Sequence, residues 1–365
     1  MSFIIVGGGV VGLSIAYGLL KKGERVTVLD GGDTESRASH GNFGLVWVQG
    51  KGGAQAPHYA QWSRRSAQLW GAYAQELYED SGVDVSLSQS GGIEYYTNEA
   101  DLAYYCDRLT SLRAQLNDDY PFEVLNRDTL KRYVPEIGNK VVGGVYTNMD
   151  GHVNPLSLLR ALSIAIRKNG GKILTGVQVV DVQSKGNGCT AVLADASEIH
   201  GEELVLAAGL GALKLGRKLG FKVPIRPQQG QILITEKLPF FLRYPSGTLR
   251  QVNEGGIQIG ATKAEVGHND NEDLPTIAKL AKYATDIFPH LGNVKLVRSW
   301  AALRIMSPDG LPIYQRSRKV RGASFVTCHS GITLSAVHAR DIPEWILRYN
   351  TAPDVSLFSE DRFHV

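Results

Sequence analysis

The first thirty residues combine two apolar runs with one stretch of helical periodicity. Residues 3–6 are continuously apolar, which is typical of a parallel strand buried on both faces. Residues 10–22 place apolar side chains at helical spacing, and Gly23 follows them at a position where helices commonly end. A second apolar run covers residues 26–30. The pattern therefore predicts a strand–helix–strand unit at the start of the chain.

The middle of the chain continues as a mixture of predicted helices and strands. Helical periodicity predicts helices at residues 57–80, 101–116, 127–133 and 155–169. Alternating or apolar runs predict strands at residues 91–97, 141–148, 172–182 and 204–209, with a hairpin from residues 190–194 and 198–200.

The pattern changes after residue 226, where antiparallel strands are predicted at residues 231–234, 248–252, 256–261 and 294–302. A helix at 274–288 interrupts them, and a strand at 324–327 turns at Gly331 into a last helix ending near residue 348. We therefore expect an α/β protein with two interleaved domains. Residues 1–80, 146–220 and 304–365 form a Rossmann-like domain, and residues 81–145 and 221–303 form a mostly antiparallel α+β domain.

Composition narrows the class of protein. The chain has 365 residues, of which 43% are hydrophobic and 21% charged, as in a soluble globular protein. A net charge of +3 gives no indication of nucleic acid as a partner, and no apolar run is long enough to span a membrane. Three scattered cysteines form neither a disulfide framework nor a metal site, and no secretion signal is recognised. We expect a cytoplasmic protein without a bound metal.

The glycines after the first strand form a dinucleotide-binding pattern, Gly7-x-Gly9-x-x-Gly12. Such glycines permit a tight turn, close approach to a pyrophosphate, and packing of the helix on the strand. Asp30 ends the second strand, where a carboxylate accepts hydrogen bonds from ribose hydroxyls. NAD and FAD share this motif, so it predicts a dinucleotide without choosing between them.

Six further segments resemble the FAD-dependent amine oxidoreductases of the D-amino-acid oxidase, glycine oxidase and sarcosine oxidase type. They are residues 36–44 (SRASHGNFG), 150–155 (DGHVNP), 206–209 (LAAG), 226–231 (RPQQGQ), 304 with 307–312 (R, SPDGLP) and 329–335 (HSGITLS). The resemblance covers nearly the whole chain and implies FAD as the cofactor. With the glycine motif it assigns FAD contacts to Gly7, Gly9, Val10, Val11, Gly12, Asp30, Ser39, His40, Gly41, Asn42, Phe43, Gly44, Val180, Ala207, Ala208, Gly209, Arg304, Ser330, Gly331, Ile332, Thr333 and Leu334.

Within that family, residues 39–53 are most similar to the β-type subunits of opine oxidases, hydrogen cyanide synthase and D-hydroxyproline dehydrogenase. The resemblance implies partner subunits that carry further redox centres, and a link to membrane electron acceptors through them is left open. FMN at the boundary between subunits is one option, although this chain shows no motif for it. An iron–sulfur centre would belong to the partner.

The resemblance implies oxidation of the C–N bond of an amine or amino acid, with hydride transfer to the flavin. Arg304 matches the position of the arginine that binds a substrate carboxylate, and Arg250 is a weaker candidate for that role. His40 and His329 lie in flavin-facing motifs, where they would contact flavin, influence the substrate amine, or be structural. Lys51 would contact the flavin loop or be solvated.

Four further positions refine these expectations. His152 is expected to be structural and His268 solvated. Relatives that link FAD covalently carry a cysteine just after the position of Arg304, where this chain has Ile305 and Met306, so noncovalent FAD is expected; Cys328 is offset from that pattern. Gln258 stands where oxygen-using relatives carry a lysine.

Several functions remain open at this point. The leading hypothesis is the catalytic subunit of a heteromeric complex that oxidises an opine-like secondary amine, such as octopine or nopaline. The alternatives are a self-sufficient glycine or sarcosine oxidase that produces hydrogen peroxide, a D-hydroxyproline dehydrogenase subunit, an NAD(P)-dependent dehydrogenase, and a flavoprotein scaffold.

Overall fold

The computed structural model describes residues 1–32, 38–186, 188–260 and 262–363. Within them the strands, in chain order, are β1 Ser2–Val6, β2 Arg25–Asp30, β3 Leu45–Val46, β4 Gly92–Tyr96, β5 Glu123–Asn126, β6 Gly143–Thr147, β7 Gly151–His152, β8 Lys172–Thr175, β9 Val179–Lys185, β10 Gly188–Leu193, β11 Glu198–Gly201, β12 Glu203–Leu206, β13 Arg226–Lys237, β14 Leu249–Gln251, β15 Gly256–Ile259, β16 Leu296–Met306, β17 Ile313–Arg316 and β18 Ala323–Thr327. The α-helices are α1 Val10–Lys21, α2 Pro57–Ser81, α3 Glu99–Gln115, α4 Arg127–Tyr133, α5 Pro155–Lys168, α6 Ala212–Leu215, α7 Leu274–Ile287 and α8 Ser335–Leu347.

A six-stranded sheet in the order β17-β18-β12-β1-β2-β8 lies at the centre of the fold. Every pairing in it is parallel except that of the edge strand β17 with β18. Phe3 and Ile5 face a core formed with α1, α2, α5 and α8, whereas Ile4 and Val6 face a core shared with β9 and β10. Because both faces of the sheet are covered, residues 3–6 of β1 are all apolar.

The remaining larger sheets are antiparallel, in the orders β14-β15-β13-β16, β4-β6-β5 and β11-β10-β9. The first two share a third core with α7, which includes Tyr95, Leu233 and Ile257. One face of the four-stranded sheet packs into this core, and the opposite face is directed to the candidate site described below. These features confirm the predicted fold class, while the exact domain boundaries remain a prediction.

The observed elements differ from the predicted ones at two places that shape the site. The strand predicted to end at residue 209 ends at Leu206, because Gly209 takes a φ of +55° and begins a 3-10 turn. The last helix begins at Ser335 rather than at Gly331, and residues 331–334 form a turn ahead of it. Both turns leave backbone groups available at the carboxyl ends of parallel strands.

Candidate active site

The turn between β1 and α1 is closed by backbone contacts that only glycine permits. Gly7 has a φ of +117°, and a Cβ there would lie 2.4 Å from the carbonyl oxygen of Ala207. A Cβ at Gly12 would lie 2.0 Å from the carbonyl oxygen of Gly7. The helix α1 therefore starts directly against two strand ends, as dinucleotide binding requires.

A cavity opens at this turn and contains most of the residues predicted to hold the adenosine and pyrophosphate parts of a dinucleotide. Its lining includes Gly7, Gly9, Val11, Asp30, Ser39, His40, Val180, Ala207, Ala208 and Gly209. Helix α1 begins at Val10, its N-cap residue Gly9 has no side chain to cap it, and its first turn contains no acidic residue. Backbone N–H groups at such an end suit a phosphate, so the residues present fit the predicted cofactor.

The loop at residues 38–44 joins this cavity to the face of the four-stranded sheet. The Val10 N–H donates to Ser39 Oγ at 3.0 Å, and the Trp300 indole N–H donates to the Gly41 carbonyl at 3.3 Å. His40 lines both the first cavity and a second one on the sheet face, which Asn42, Arg250, Gln258 and Trp300 also line. Ser36 and Arg37 of the predicted loop motif lie outside the described residues.

The turn before α8 presents donors suited to the polar edge of a flavin. The N–H of Leu334 bonds to the Ser330 carbonyl, whereas those of Gly331, Ile332 and Thr333 have no acceptor among the described residues. Ile332 and Thr333 are buried, so leaving their N–H groups unpaired costs free energy that a bound carbonyl would recover. This feature fits the predicted contacts to the flavin.

Helix α2 fixes this turn from behind. The Ser66 hydroxyl and the Trp70 indole N–H both donate to the Thr333 carbonyl, at 2.7 and 3.0 Å. The Thr333 hydroxyl donates to the Leu45 carbonyl at 3.2 Å and accepts from the Trp47 N–H at 3.1 Å. Donors near the site are therefore held by buried hydrogen bonds rather than by the loop alone.

Arg304 lies on the sheet face, with its guanidinium against the backbone of Gly230. A Cβ at Gly230 would lie 2.4 Å from Arg304 Nη2, so the glycine makes room for the side chain. Arg304 Nη1 donates to the carbonyls of Thr262 at 2.6 Å and Gln229 at 3.3 Å. Burial lowers the pKa of Arg304. The backbone orients this cation and leaves its remaining N–H groups for an external anion.

Arg250 is more deeply enclosed than Arg304, and its Nε and Nη1 have partners in the protein. Its Nε donates to Gln258 Oε1 at 2.7 Å, and its Nη1 lies 3.1 Å from both the Val153 carbonyl and His152 Nδ1. Burial lowers the pKa of Arg250 to about 9. Burial, and then the charge of Arg250, lowers the pKa of His152 to about 3. These contacts favour a supporting role for Arg250 beneath Phe43.

Lys51, Tyr59 and His329 meet at Ser330. Lys51 Nζ donates to Ser330 Oγ at 2.5 Å, the Tyr59 hydroxyl donates to it at 3.1 Å, and His329 Nδ1 lies 3.2 Å from it. Burial lowers the pKa of His329 to about 3, and the charges of Lys51, Arg304 and Lys263 contribute to that shift. His329 is therefore neutral at pH 7 and a poor proton acceptor.

Tyr59 and Thr262 come to the site without having been selected from the sequence, and Lys263, which follows Thr262, is exposed. Thr262 and Lys263 follow β15, and Tyr59 lies in the first turn of α2. No sequence motif marks them; only the pairing of β13 with β15 and β16 carries residues 262–263 to Arg304. His268 is exposed, in agreement with the expectation that it is solvated.

Comparison with known proteins identifies the family. The family model described as FAD dependent oxidoreductase matches residues 2–345. The chain belongs to this family. It is therefore an FAD-dependent oxidoreductase that acts on the C–N bond of amines or amino acids, which confirms the predicted cofactor and class of reaction.

Relatives and solved structures cover nearly the whole chain. It is 41% identical to the B subunit of opine oxidase from Agrobacterium tumefaciens (strain Ach5), over 99% of this chain and 97% of that protein. It is 28% identical to the HcnC subunit of hydrogen cyanide synthase from Pseudomonas aeruginosa, over 99% and 95% respectively. The crystal structure of glycine oxidase from Geobacillus kaustophilus matches with a TM-score of 0.90 at 25% identity, covering 98% of this chain and 97% of that one.

The described residues were also compared with the expectations for cysteines, metal ligands and membrane spans. Cys106, Cys189 and Cys328 are free thiols. In the part of the chain that the structure describes, no group of three or more metal-ligating side chains is found. No described helix is both long and apolar enough to cross a membrane.

Proposed function

We propose that this flavoprotein oxidises the C–N bond of an opine-like secondary amine, such as octopine or nopaline, as the catalytic β-type subunit of a heteromeric complex. The observation that carries the proposal is Arg304, a backbone-oriented cation on the sheet face with no carboxylate partner among the described residues. The 41% identity to the B subunit of opine oxidase, over nearly all of both chains, supports the choice of substrate.

Each part of the site has a definite task in this proposal. FAD, when bound, supplies the hydride acceptor. Arg304 binds a carboxylate of the substrate and thereby fixes the carbon next to the amine. The N–H groups of residues 331–333 offset negative charge at the polar edge of the cofactor.

His329 acts as a hydrogen-bonding group rather than as a general base. Because its pKa lies near 3, it has little affinity for a proton released by the substrate at neutral pH. The substrate amine must therefore lose its proton to water or to another group before its C–N bond is oxidised. The positive charges around His329 favour the neutral form of a bound amine.

The route of the electrons is the second part of the proposal. Gln258 presents its amide oxygen to Arg250, so the position that holds a lysine in oxygen-using relatives carries no ammonium here. We propose that electrons leave through partner subunits, with FMN at the boundary between subunits as one option. The likeness to a subunit of opine oxidase and to a subunit of hydrogen cyanide synthase supports this.

Anaerobic mixing of the FAD-loaded chain with a panel of amines tests the substrate. We expect octopine or nopaline to bleach the visible absorbance of FAD faster than glycine, sarcosine or D-hydroxyproline at equal concentration. Bleaching by glycine or sarcosine alone would instead support the self-sufficient oxidase, and bleaching by D-hydroxyproline alone would support that dehydrogenase. Purification from native cells, with recorded partners, tests the complex.

A further inference from the structure

The hydroxyl of Ser330 is contacted by three side chains beside the turn before α8. Lys51 Nζ donates to Ser330 Oγ at 2.5 Å, and the Tyr59 hydroxyl donates to it at 3.1 Å. His329 Nδ1 lies 3.2 Å from the same oxygen. Tyr59 and Ser330 are only 4% and 8% exposed, so water competes little for these contacts. The direction of the third hydrogen bond therefore follows from the other two.

The two donors use the whole accepting capacity of Ser330. A serine hydroxyl has two lone pairs that accept hydrogen bonds and one proton that it can donate. Burial lowers the pKa of Lys51 to about 8, so this side chain is mainly protonated at pH 7 and can only donate. Lys51 and Tyr59 occupy both lone pairs. Among the residues that the structure describes, His329 Nδ1 is the one acceptor left in reach of the Ser330 proton.

This contact fixes the position of the proton on the ring of His329. Burial lowers the pKa of His329 to about 3, so the ring is neutral at pH 7 and carries one N–H proton. Because Nδ1 accepts from Ser330, that proton lies on Nε2. His329 Nε2 has no hydrogen-bond partner in the described part of the chain, and it is not among the unpartnered atoms that are fully buried. An accessible Nε2–H donor is therefore available.

The neighbours of His329 along the chain place this donor beside the cofactor cavity. Thr327 and Cys328 line that cavity, as does Ile305, which follows Arg304. The unpaired N–H groups of residues 331–333 come directly after Ser330. A ligand that lies here thus meets N–H donors on both sides of Ser330.

We propose that Lys51 and Tyr59 are positioning residues that act through Ser330 to hold His329 as the Nε2–H tautomer, which donates to an acceptor oxygen of the bound flavin or substrate. The opposite tautomer would present a lone pair, which suits the N–H groups of a protonated amine. The fixed donor instead suits a carbonyl or carboxylate oxygen. This inference rests on the proposed function for the identity of its ligands.

Nuclear magnetic resonance of the FAD-loaded protein, with ring ¹⁵N-labelled histidine, tests the tautomer without turnover. Correlations between the ring protons and both ring nitrogens distinguish the Nε2–H and Nδ1–H forms, and the signals lost in His329→Gln identify this residue. We expect the Nε2–H form to predominate almost completely at pH 7. A predominant Nδ1–H form, or an even mixture of the two, would overturn the proposal.

Two variants test the positioning residues themselves. Tyr59→Phe and Lys51→Met each free one lone pair of Ser330, so that His329 Nδ1–H can donate to it. We expect the ratio of Nδ1–H to Nε2–H to rise roughly fivefold in each variant, the effect of about one net hydrogen bond. Lys51→Arg keeps a donor and should retain the wild-type ratio. An unchanged ratio in Tyr59→Phe and Lys51→Met would show that neither residue positions His329.

A control and a conservative change keep this comparison interpretable. Lys282→Met removes a lysine that pairs with Asp286 on the exposed side of α7, and it should keep the wild-type ratio. Tyr59→Phe removes a single oxygen from a packed ring, so it should fold even if Lys51→Met does not.

Two further spectra identify the acceptor oxygen. Chemical reduction of FAD adds negative charge to the flavin, so a downfield shift of the His329 Nε2–H proton on reduction would identify a flavin carbonyl. Ethoxyacetate has a carboxylate and an unreactive ether in place of the amine, so a downfield shift on its addition would identify the substrate carboxylate. No shift with either would overturn the donor role.

The outcomes separate this inference from the proposed function. The tautomer is measured without an opine, so a failure of opines to bleach FAD would refute the proposed substrate and leave the tautomer assignment standing. A wrong tautomer in a protein whose FAD is bleached by opines would refute only this inference.

Discussion

Arg304 is the residue on which we expect substrate binding to depend most strongly. Arg304→Ala removes a charge-assisted contact to the substrate carboxylate. We expect kcat/KM for an opine to fall, mainly through a higher KM, by a factor that corresponds to about 2–4 kcal/mol of lost transition-state stabilisation. Arg304→Lys keeps the charge but not the paired N–H groups, so it should recover only part of the loss. Steady-state kinetics with an artificial electron acceptor measures this. Unchanged kinetics in the alanine variant would contradict this role and favour Arg250 as the residue that binds the carboxylate.

Asp150 holds the loop that carries Lys51. Asp150→Ala removes the acceptor of two buried N–H groups, and we expect a loss of about 1–3 kcal/mol for each in the free energy of unfolding. Asp150→Asn keeps that acceptor. Gln49 Nε2 donates to Asp150 Oδ2 at 3.4 Å, and rotation of the Gln49 amide would let its Oε1, which has no partner among the described residues, accept from the new amide. The asparagine variant should therefore be the more stable of the two in denaturant titrations.

Comparison of Asp150→Asn with the wild type also tests the protonation of Asp150. Its pKa is raised from 3.8 to about 7 in the folded protein, so between those values the native state holds a proton that the unfolded chain releases. Its contribution to stability is therefore greatest below the unfolded pKa and declines as pH rises through the folded pKa. We expect the free energy of unfolding of Asp150→Asn to decline less than that of the wild type over this interval. An identical pH dependence would contradict the assignment.

At the scale of elements, helices α1 and α8 cross with backbone nearly touching backbone. A Cβ at Gly18 would lie 2.1 Å from the Ala339 carbonyl oxygen and 2.6 Å from the ring of Pro343. Gly18→Ala should therefore destabilise the protein by about 1–3 kcal/mol, despite the better helix propensity of alanine. Gly71 is exposed in α2 with nothing within 4 Å of its Cβ position, so Gly71→Ala should stabilise by about 0.5–1 kcal/mol. Equal effects at both positions would refute this packing argument.

Elements with strong local signals could be predicted from the sequence, and elements that depend on distant pairing could not. The apolar runs of β1 and β2 and the whole of α4 lie where the pattern indicated. Strand β13 runs from Arg226 to Lys237 instead of residues 231–234, because pairing with β16 extends it through polar residues. Strands β3 and β7 have two residues each and depend on pairing with distant segments: β3 pairs with β7, and His152 of β7 also pairs with Ser88.

The same distinction applies to the site. The glycine turn is local, and the sequence predicted it; Lys51 and Ser330 are 279 positions apart, and their contact follows only from tertiary packing. Thr262 gave no signal at all, because its contact with Arg304 is made by the backbone carbonyl, which any residue could supply.

At the scale of the whole molecule, the cofactor is expected to be bound without a covalent link. The family position for such a link holds Ile305 and Met306, and burial raises the pKa of the Cys328 thiol to about 12, which makes it a poor nucleophile. Acid precipitation should leave the yellow colour in the supernatant. A yellow pellet would show a covalent bond to FAD, and a colourless native protein would contradict FAD binding in the isolated chain.

The proposed function assigns to this chain the oxidation of an opine and the transfer of electrons to partner subunits. Double-mixing stopped-flow tests it most directly: nopaline or octopine reduces the FAD-loaded chain without oxygen, and the mixture then meets oxygen, with or without the co-purified partners. We predict rapid bleaching by the opine, slow return of FAD absorbance with oxygen in the lone chain, and fast return when the partners and an electron acceptor are present. Rapid reoxidation of the lone chain, with hydrogen peroxide formed at the rate of substrate turnover, would contradict the account and identify a self-sufficient oxidase.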